Sequence, residues 1–326
     1  MPHARAPRFK RIINAKNVQI TSKDLYIIEK VFRHRLLTSR QIAALAGGSS
    51  QNLLRRLGLL YHKGFLDRPL AQLDYYRGGG SHPIVYAVGN QGAELLQTKL
   101  GIPRREIDWT AKNRSVKRVF LQHTLAVSDV LVKTETACRN NGLQLIGKRE
   151  ALAELTDDST GFGKLGWSVS VPSEGLQVQA GVIPDSLFGI RSKDEAGVVY
   201  FFLEVDRGTM PVIRKNLRQT SLYRKLLAYY ETWRQGLHTS LFGLKRFRVL
   251  IFAASKERVN HLKHMNKLLN EGKGSRIFLF ADSAGLPFWE DILTLPLVNG
   301  RDDLMTSLLE ESRTSSGLPE GAEELP

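Results

Sequence analysis

The chain has 326 residues, 42% of them hydrophobic and 24% charged, a composition typical of a globular protein that excludes a disordered or fibrous one. A length of this order predicts two domains, or else one large domain. The single cysteine, Cys138, excludes an internal disulfide and a cysteine-rich zinc site within one chain. The basic N-terminus lacks the apolar core of a signal peptide, and no apolar run is long enough to cross a bilayer. A soluble, cytoplasmic protein without membrane contact is therefore expected.

Positive charge is concentrated in the first third of the chain. The net charge is +15, and residues 1 to 118 contain 22 Lys and Arg against 7 Asp and Glu. The remaining residues contain 25 of each kind. Because Lys and Arg that neutralise phosphates release counterions, this distribution favours a polyanionic partner. We predict that the first third binds double-stranded DNA. A basic surface that serves only solubility and a protein that binds RNA are the alternatives.

Three short helices are predicted near the start of the chain. The segment SKDLYIIEKVFRH has apolar residues at helical spacing. A second helix is capped by Thr38 or Ser39 and ends at Gly47. A third is capped by Ser49 or Ser50. The leucines of the third helix that are expected to face the core are Leu53, Leu54, Leu57 and Leu60.

Two β-strand patterns follow the three helices and flank a glycine run at residues 78–80. This run lacks the Lys-Ser or Lys-Thr pair and the helix start of a phosphate-binding loop, so it is predicted to be a turn. Three helices and a hairpin are the order of a winged helix-turn-helix, whose third helix enters the major groove and whose hairpin contacts the backbone or the minor groove. The residues predicted to contact DNA are Ser50, Gln51, Asn52, Arg55, Arg56, Lys63, Arg68 and Arg77.

The second part of the chain changes to alternating strand and helix patterns. A helical segment precedes three predicted strands, LQLIGK, LQVQAGVIPDSLFGI and GVVYFFLEV. One long helix is predicted over VIRKNLRQTSLYRKLLAYYETWRQG, and strand, helix and strand follow. This αβββαβ order predicts an α/β (α+β) fold. The predicted organisation is a basic arm (1–20), a winged helix-turn-helix (21–100), a linker (101–114), an α/β domain (115–300) and an acidic, disordered tail (301–326).

Three carboxylates lie where two of the predicted strands are expected to meet. Glu204 and Asp206 are two residues apart in one strand and therefore project to the same face. Asp185 lies early in the preceding strand, so pairing of the two strands would bring it to Glu204. Oxygen ligands of this kind suit Mg²⁺ or Mn²⁺, and a metal held there would activate water. Three solvated carboxylates at strand ends are the alternative.

The predicted long helix contributes further polar groups. Lys215, Gln219 and Tyr223 lie at positions i, i+4 and i+8, so one helical face would present an ammonium, an amide and a phenol together. Lys225 is expected to point about 80° away from this stripe, as the helical repeat requires.

These motifs resemble two known protein groups. PD, followed on the next strand by LEVD within the αβββαβ order, resembles the PD-(D/E)XK nuclease superfamily of restriction-endonuclease type, and QTSLY resembles the QxxxY element of its RecB-like branch. Together with HTLAVSDV, IPDSLF and FFLEVDRGT, the whole arrangement resembles the replication-relaxation family over roughly residues 20–255. This second resemblance implies a role in the replication and relaxation of plasmid or mobile-element DNA.

The nuclease resemblance implies a metal-dependent DNA endonuclease, a nickase, with Mg²⁺ or Mn²⁺ as its cofactor. Asp206 stands where the motif has lysine, so a lysine from the helix, Lys215 first and Lys225 second, would have to replace it. Without this replacement, the alternative is a non-catalytic replication or transfer accessory factor, or a transcriptional regulator, with plasmid replication or mobilisation proteins as possible partners. The site residues that the resemblance implies are Asp185, Glu204, Asp206, Lys215, Lys225, Gln219 and Tyr223, with His123 as a further metal ligand.

Overall fold

The computed structural model describes residues 8–12, 18–73, 82–107, 116–156, 165–173, 175–192, 197–214, 219–286, 291–302 and 304–313. The chain divides into two compact units, a first unit, Met1–Val132, and a second unit, Lys133–Pro326. The division lies within the helix that was predicted to begin the second domain. In these ranges no helix is both long and apolar enough to span a membrane.

Short helices and a small sheet form the first unit. The helices are α1 (Ser22–His34), α2 (Ser39–Ala46), α3 (Ser50–His62), α4 (Asn90–Leu100) and α5 (Arg104–Ile107). The strands are β1 (Leu37–Thr38), β2 (Leu66–Asp67) and β3 (Val85–Val88), which pair antiparallel in the order β1-β3-β2. The succession of three helices and an antiparallel strand pair agrees with the sequence prediction. Arg77 and the glycine turn lie outside the described residues.

Side-chain caps set the positions where α2 and α3 begin. The Thr38 hydroxyl accepts a hydrogen bond from the backbone N–H of Gln41, and the Gln41 side chain accepts one in return from the N–H of Thr38. Ser49 accepts a hydrogen bond from the N–H of Asn52 in the same way. Each cap satisfies a donor that the first helical turn leaves unpaired. Gly47 ends α2 at a positive φ of 62°, as predicted.

Helix α3 buries three of the four leucines that were predicted to face the core. Leu53, Leu57 and Leu60 are buried, whereas 50% of Leu54 is exposed. The prediction for Leu54 is wrong because consecutive residues on an α-helix point about 100° apart. The stripe that buries Leu53 and Leu60 therefore leaves Leu54 on its flank.

A seven-stranded mixed sheet is the centre of the second unit. Its strand order is β12-β11-β10-β9-β8-β7-β4, and a separate pair, β5 and β6, forms a two-stranded antiparallel sheet. Strands β8, β9 and β10 run parallel, and the other neighbours run antiparallel. The strands are β4 (Gln144–Ile146), β5 (Trp167–Ser173), β6 (Leu176–Val182), β7 (Ser186–Arg191), β8 (Val198–Asp206), β9 (Arg248–Ala253), β10 (Phe278–Asp282), β11 (Leu297–Asn299) and β12 (Met305–Thr306).

Helices precede, separate and follow these strands along the chain, and the first of them spans the division between the two units. They are α6 (Arg118–Asn140), α7 (Lys148–Leu155), α8 (Leu222–Arg234), α9 (Leu237–Phe242), α10 (Lys256–Lys267) and α11 (Leu308–Arg313). The predicted order of helix, three strands, helix and strand is present as α6, β4, β7, β8, α8 and β9. Helix α7 and the β5–β6 hairpin are inserted between β4 and β7; α7 and β5 were not predicted, whereas β6 was predicted as part of a longer strand.

The single strand predicted over LQVQAGVIPDSLFGI is in fact two strands in two sheets. Strand β6 ends at Val182 and pairs with β5, whereas β7 begins at Ser186 and pairs with β4 and β8. Pro184 lies at the break. Proline cannot donate to a strand ladder, and it restricts the residue before it, so it separates the two strands.

The prediction of one long helix over residues 212–236 is also wrong for its first part. Helix α8 begins at Leu222, because the Ser221 side chain caps it by accepting a hydrogen bond from the N–H of Arg224. Gln219 precedes the helix and Lys215 lies outside the described residues. Gln219 and Tyr223 therefore do not lie on one helical face, and the predicted contribution of Lys215 stays a prediction.

Part of the predicted disordered tail is ordered. Strand β12 pairs with β11, and α11 buries Leu308. Glu311 of α11 forms a 2.8 Å ion pair with Arg248, the first residue of β9. The composition beyond Arg301 did not reveal this segment because its apolar residues are few, two adjacent pairs within a polar stretch. Residues 314–326 lie outside the described part of the chain.

Aromatic packing holds α8 against the sheet. The ring of Phe202 on β8 lies 5.9 Å from that of Tyr229 on α8, measured between centroids. Trp167 of β5 lies 5.2 Å from Phe202, and its indole N–H donates to the Thr232 hydroxyl over 2.7 Å. The face of α8 that carries Tyr229 is thereby turned toward the carboxylates of β8.

Candidate functional site

Strand pairing brings the three predicted carboxylates to one end of β8. Glu204 pairs with Ile251 and Asp206 with Ala253, at the carboxyl end of the parallel strand β9. The backbone N–H of Asp185 donates to the carbonyl of Leu203 over 3.1 Å. The Asp185 carboxylate accepts a 2.8 Å hydrogen bond from the N–H of Val205. Asp185 is thus held beside Glu204, as expected if the two strands pair.

Helix α8 supplies two side chains to Glu204, whose exposed fraction is only 4%. The Tyr229 hydroxyl donates to Oε1 over 2.6 Å, and the Lys225 ammonium donates to Oε2. Lys225 and Tyr229 are four residues apart and therefore lie on the same helical face. The lysine that meets the carboxylate is the second choice of the sequence prediction, and the expectation that Lys225 points away is wrong because α8 begins later than predicted.

Charge and burial oppose each other at this cluster. Burial raises the pKa of Glu204 to about 7, while the Lys225 ammonium opposes this rise and Asp185 adds to it. Burial lowers the pKa of Lys225, but Glu204, Asp185 and Asp206 outweigh that effect and raise it overall. The pKa of Tyr229 is raised well above its ordinary value by burial and by Glu204. Lys225 is therefore an ammonium in the field of three carboxylates, and Tyr229 remains a hydrogen-bond donor.

Asp206 is compensated by an arginine that sequence reasoning missed. Arg258 of α10 donates through Nε to Oδ2 and through Nη2 to Oδ1, the latter over 3.1 Å. The N–H of Gly208 donates to Oδ1 as well, over 3.1 Å. Such a two-pronged arginine–carboxylate pair is among the stronger hydrogen-bonded ion pairs. Helix α10 follows β9, which runs parallel to β8, so its first turn lies at the same edge of the sheet as Asp206. This was the signal that could have found Arg258.

Protein donors compensate the carboxylates in this arrangement, and the predicted Mg²⁺ or Mn²⁺ site stays a prediction. Mg²⁺ and Mn²⁺ need several oxygens with lone pairs directed at one point. Both oxygens of Glu204 and both oxygens of Asp206 accept hydrogen bonds from protein donors, and so does Oδ2 of Asp185. Among the described residues, no three His, Cys, Asp or Glu side chains are grouped so that they could hold a metal ion. His123 lies on α6 in the first unit, and its role as a ligand stays a prediction.

The two residues of the predicted QxxxY element are engaged elsewhere. The Gln219 side chain is exposed and accepts a 2.7 Å hydrogen bond from Arg214. Tyr223 packs against the core of the second unit, and burial raises the pKa of its phenol. Neither side chain hydrogen-bonds to the carboxylates within the described part of the chain.

The predicted DNA-contacting residues of the first unit fall into two groups. The exposed ones lie on the first turns of α3: Ser50, Gln51, Asn52 and Arg55. Gln51 and Arg55 have no intramolecular side-chain partner among the described residues. Lys63 follows the helix and is half-buried.

Arg56 and Arg68 have structural partners instead. Arg56 donates to both carboxylate oxygens of buried Asp24, over 2.8 and 2.5 Å, and to the carbonyl of Gln19. Burial would raise the pKa of Asp24, but the hydrogen bonds from Arg56 and Thr21 outweigh it and lower the pKa. Arg68 is buried, with its guanidinium 4.1 Å from the ring centroid of Tyr61. Arg56 thus fixes α3 against α1, and Arg68 is too buried to contact DNA directly.

The described residues define a chain of mixed α/β class, with an exposed basic helix in one unit and a charge-compensated acidic sheet edge in the other. The chain belongs to the replication-relaxation family, whose model matches residues 28–243. This confirms the resemblance to that family and indicates a role in replication or relaxation of plasmid or mobile-element DNA. Comparison with curated proteins and with solved structures gave no match.

Proposed function

We propose that the protein is a non-catalytic accessory factor that binds double-stranded DNA through its first unit during replication or relaxation of plasmid or mobile-element DNA. The observation that supports this most directly is that the first turns of α3 are exposed and lie within a segment of strongly positive charge. Among the described residues, Gln51 and Arg55 of these turns have no intramolecular side-chain partner. A helix-turn-helix protein inserts the first turns of its third helix into the major groove, where side chains reach the base edges. The surrounding Lys and Arg then supply the affinity for phosphates.

The second unit acts, in this proposal, by assembly and not by cleavage. Its carboxylates are neutralised internally by Lys225 and Arg258, so the protein itself supplies the positive charge that a metal ion would bring. The observation that favours the alternative, an endonuclease, is that Asp185, Glu204 and a lysine do converge at one sheet edge. The two functions predict different results with supercoiled DNA.

Adjacent arginines of α3 provide the first test. Arg55→Ala is expected to weaken binding to duplex DNA by about 1–3 kcal/mol without lowering the melting temperature, because this side chain has no intramolecular role. Arg56→Ala is expected to lower the melting temperature, because it leaves the Asp24 carboxylate buried and unpaired. Fluorescence anisotropy at several salt concentrations and thermal denaturation measure the two effects.

For the wild-type protein, the logarithm of the association constant for duplex DNA should fall steeply and linearly with the logarithm of the salt concentration. Arg276→Ala serves as the control, because Arg276 is an exposed arginine of the second unit. If the wild type fails to bind duplex DNA even at low salt, or if it binds RNA in preference, the proposed function is wrong.

A nicking assay separates the two candidate functions. Supercoiled plasmid incubated with the wild-type protein and Mg²⁺ or Mn²⁺ is expected to remain supercoiled, because the carboxylates already hold protein donors. Asp185→Ala is the matched variant and should behave identically. Nicking by the wild type that is absent from Asp185→Ala would establish the endonuclease and reject the non-catalytic assignment.

A further inference from the structure

One exposed leucine on α3 is unexplained by the packing of the first unit. Leu54 is 50% exposed, although Leu53 and Leu57 of the same helix are buried. With about 100° between successive residues, Gln51, Leu54 and Arg55 point within a strip about 100° wide. Leu54 is therefore an apolar side chain at one border of a face that also carries an amide and a guanidinium.

The neighbours of Leu54 are available to a ligand. The side chains of Gln51 and Arg55 have no hydrogen-bond or ion-pair partner within the described ranges. Gly58, one turn further, has no side chain that would restrict approach to this face. The face thus offers one hydrogen-bonding amide, one apolar group and one cation, all near the start of the helix.

Charge indicates which kind of molecule covers this face. Residues 1 to 118 carry the whole net charge of +15, which is complementary to a polyanion. A protein partner is disfavoured, because a stable protein interface buries about 800 Å² on each side and one leucine flanked by polar residues does not provide an apolar centre of that size. Binding to duplex DNA does not require a large apolar interface around a single apolar contact.

The major groove presents one apolar group, the 5-methyl of thymine. Glutamine pairs with adenine and arginine with guanine through two hydrogen bonds, and apolar side chains contact the thymine methyl. We propose that Leu54 is a specificity-determining residue that contacts a thymine methyl group in the DNA site, beside bases contacted by Gln51 and Arg55. This inference rests on the proposed DNA binding of the first unit.

Replacement of thymine by deoxyuridine tests the contact, because deoxyuridine lacks only the methyl group. A preferred duplex is first selected from random sequences with the wild-type protein, and each thymine is then replaced singly. At one position the wild type is expected to bind the deoxyuridine duplex about fourfold more weakly, the effect of burying one methyl group. Leu54→Ala is expected to bind both duplexes equally.

Leu70→Ala is the matched control, since Leu70 is 53% exposed elsewhere in the first unit. Leu70→Ala should retain the fourfold preference for the thymine duplex over the deoxyuridine duplex. Both variants should have the melting temperature of the wild type, because neither leucine is buried. Equal binding of thymine and deoxyuridine duplexes at every position overturns the role of Leu54 and leaves salt-dependent DNA binding intact. Absence of any DNA binding overturns the proposed function together with it.

Discussion

The Lys225→Met variant is expected to lose about 3–5 kcal/mol of stability, the usual effect of removing one partner of a buried ion pair. Methionine replaces the volume of the lysine stem but leaves the Glu204 carboxylate buried without its ammonium. The hydroxyl of Tyr229 alone cannot compensate a full charge. Chemical denaturation of the wild type and the variant measures the difference.

The loss should depend on pH. Without the ammonium, the pKa of Glu204 in the folded protein rises from about 7, further above its ordinary value of 4.5. A carboxyl whose pKa is raised by folding contributes stability that is present below pH 4.5 and is lost as the pH rises through the folded value. The variant should therefore be closer to the wild type at pH 5 than at pH 8.

Two further variants serve as controls for the Lys225→Met result. The double variant Glu204→Gln with Lys225→Met should recover most of the lost stability, because no charge is left buried. Lys256→Met, at an exposed lysine of α10, should change stability by less than about 0.5 kcal/mol. A Lys225→Met protein more stable than the wild type would instead indicate a strained catalytic site, since active-site residues often reduce stability.

The Arg258→Met variant is expected to lose a similar amount, about 3–5 kcal/mol. The Asp206 side chain, on a residue only 8% exposed, would lose both of its guanidinium donors. Arg258 also donates to the carbonyl of Met210, so the segment after β8 would lose an anchor. Thermal and chemical denaturation would both show the effect.

A surface ion pair of the same unit provides the comparison. Arg276 lies 3.4 Å from Asp302, and both are more exposed than Arg258 and Asp206. Arg276→Met should change stability by about 0–1 kcal/mol, because water already screens that pair. If Arg258→Met and Arg276→Met have equal, small effects, the Asp206–Arg258 pair does not hold the sheet edge and α10 together.

The two buried pairs bear on function as well as stability. Lys225 and Arg258 come from different helices and neutralise carboxylates at one edge of the sheet. Large losses in both variants would agree with a second unit in which Glu204 and Asp206 maintain the fold. A nicking activity that depends on Asp185 would instead reject the non-catalytic assignment.

The sequence predicted the starts of α2 and α3 to within one residue, because caps and glycines act on their own helical turns. It also predicted the meeting of Asp185 with Glu204, because strand periodicity determines which side chains share a face. The prediction that Leu54 is buried was wrong, because Leu53 and Leu54 are both apolar but point about 100° apart on the helix. The prediction for α8 was wrong as well, because one serine cap outweighed a helical pattern.

By itself, the sequence determined the basic first third, the three helices and the strand pair of the first unit, the carboxylates of two adjoining strands and the family. Only the tertiary structure decided which cations meet those carboxylates. Arg258 is 52 residues from Asp206 and Lys225 is 21 residues from Glu204, so no local rule connects them. The physical reason is that caps and strand faces depend on neighbours along the chain, whereas the partner of a buried charge depends on how sheet and helices pack.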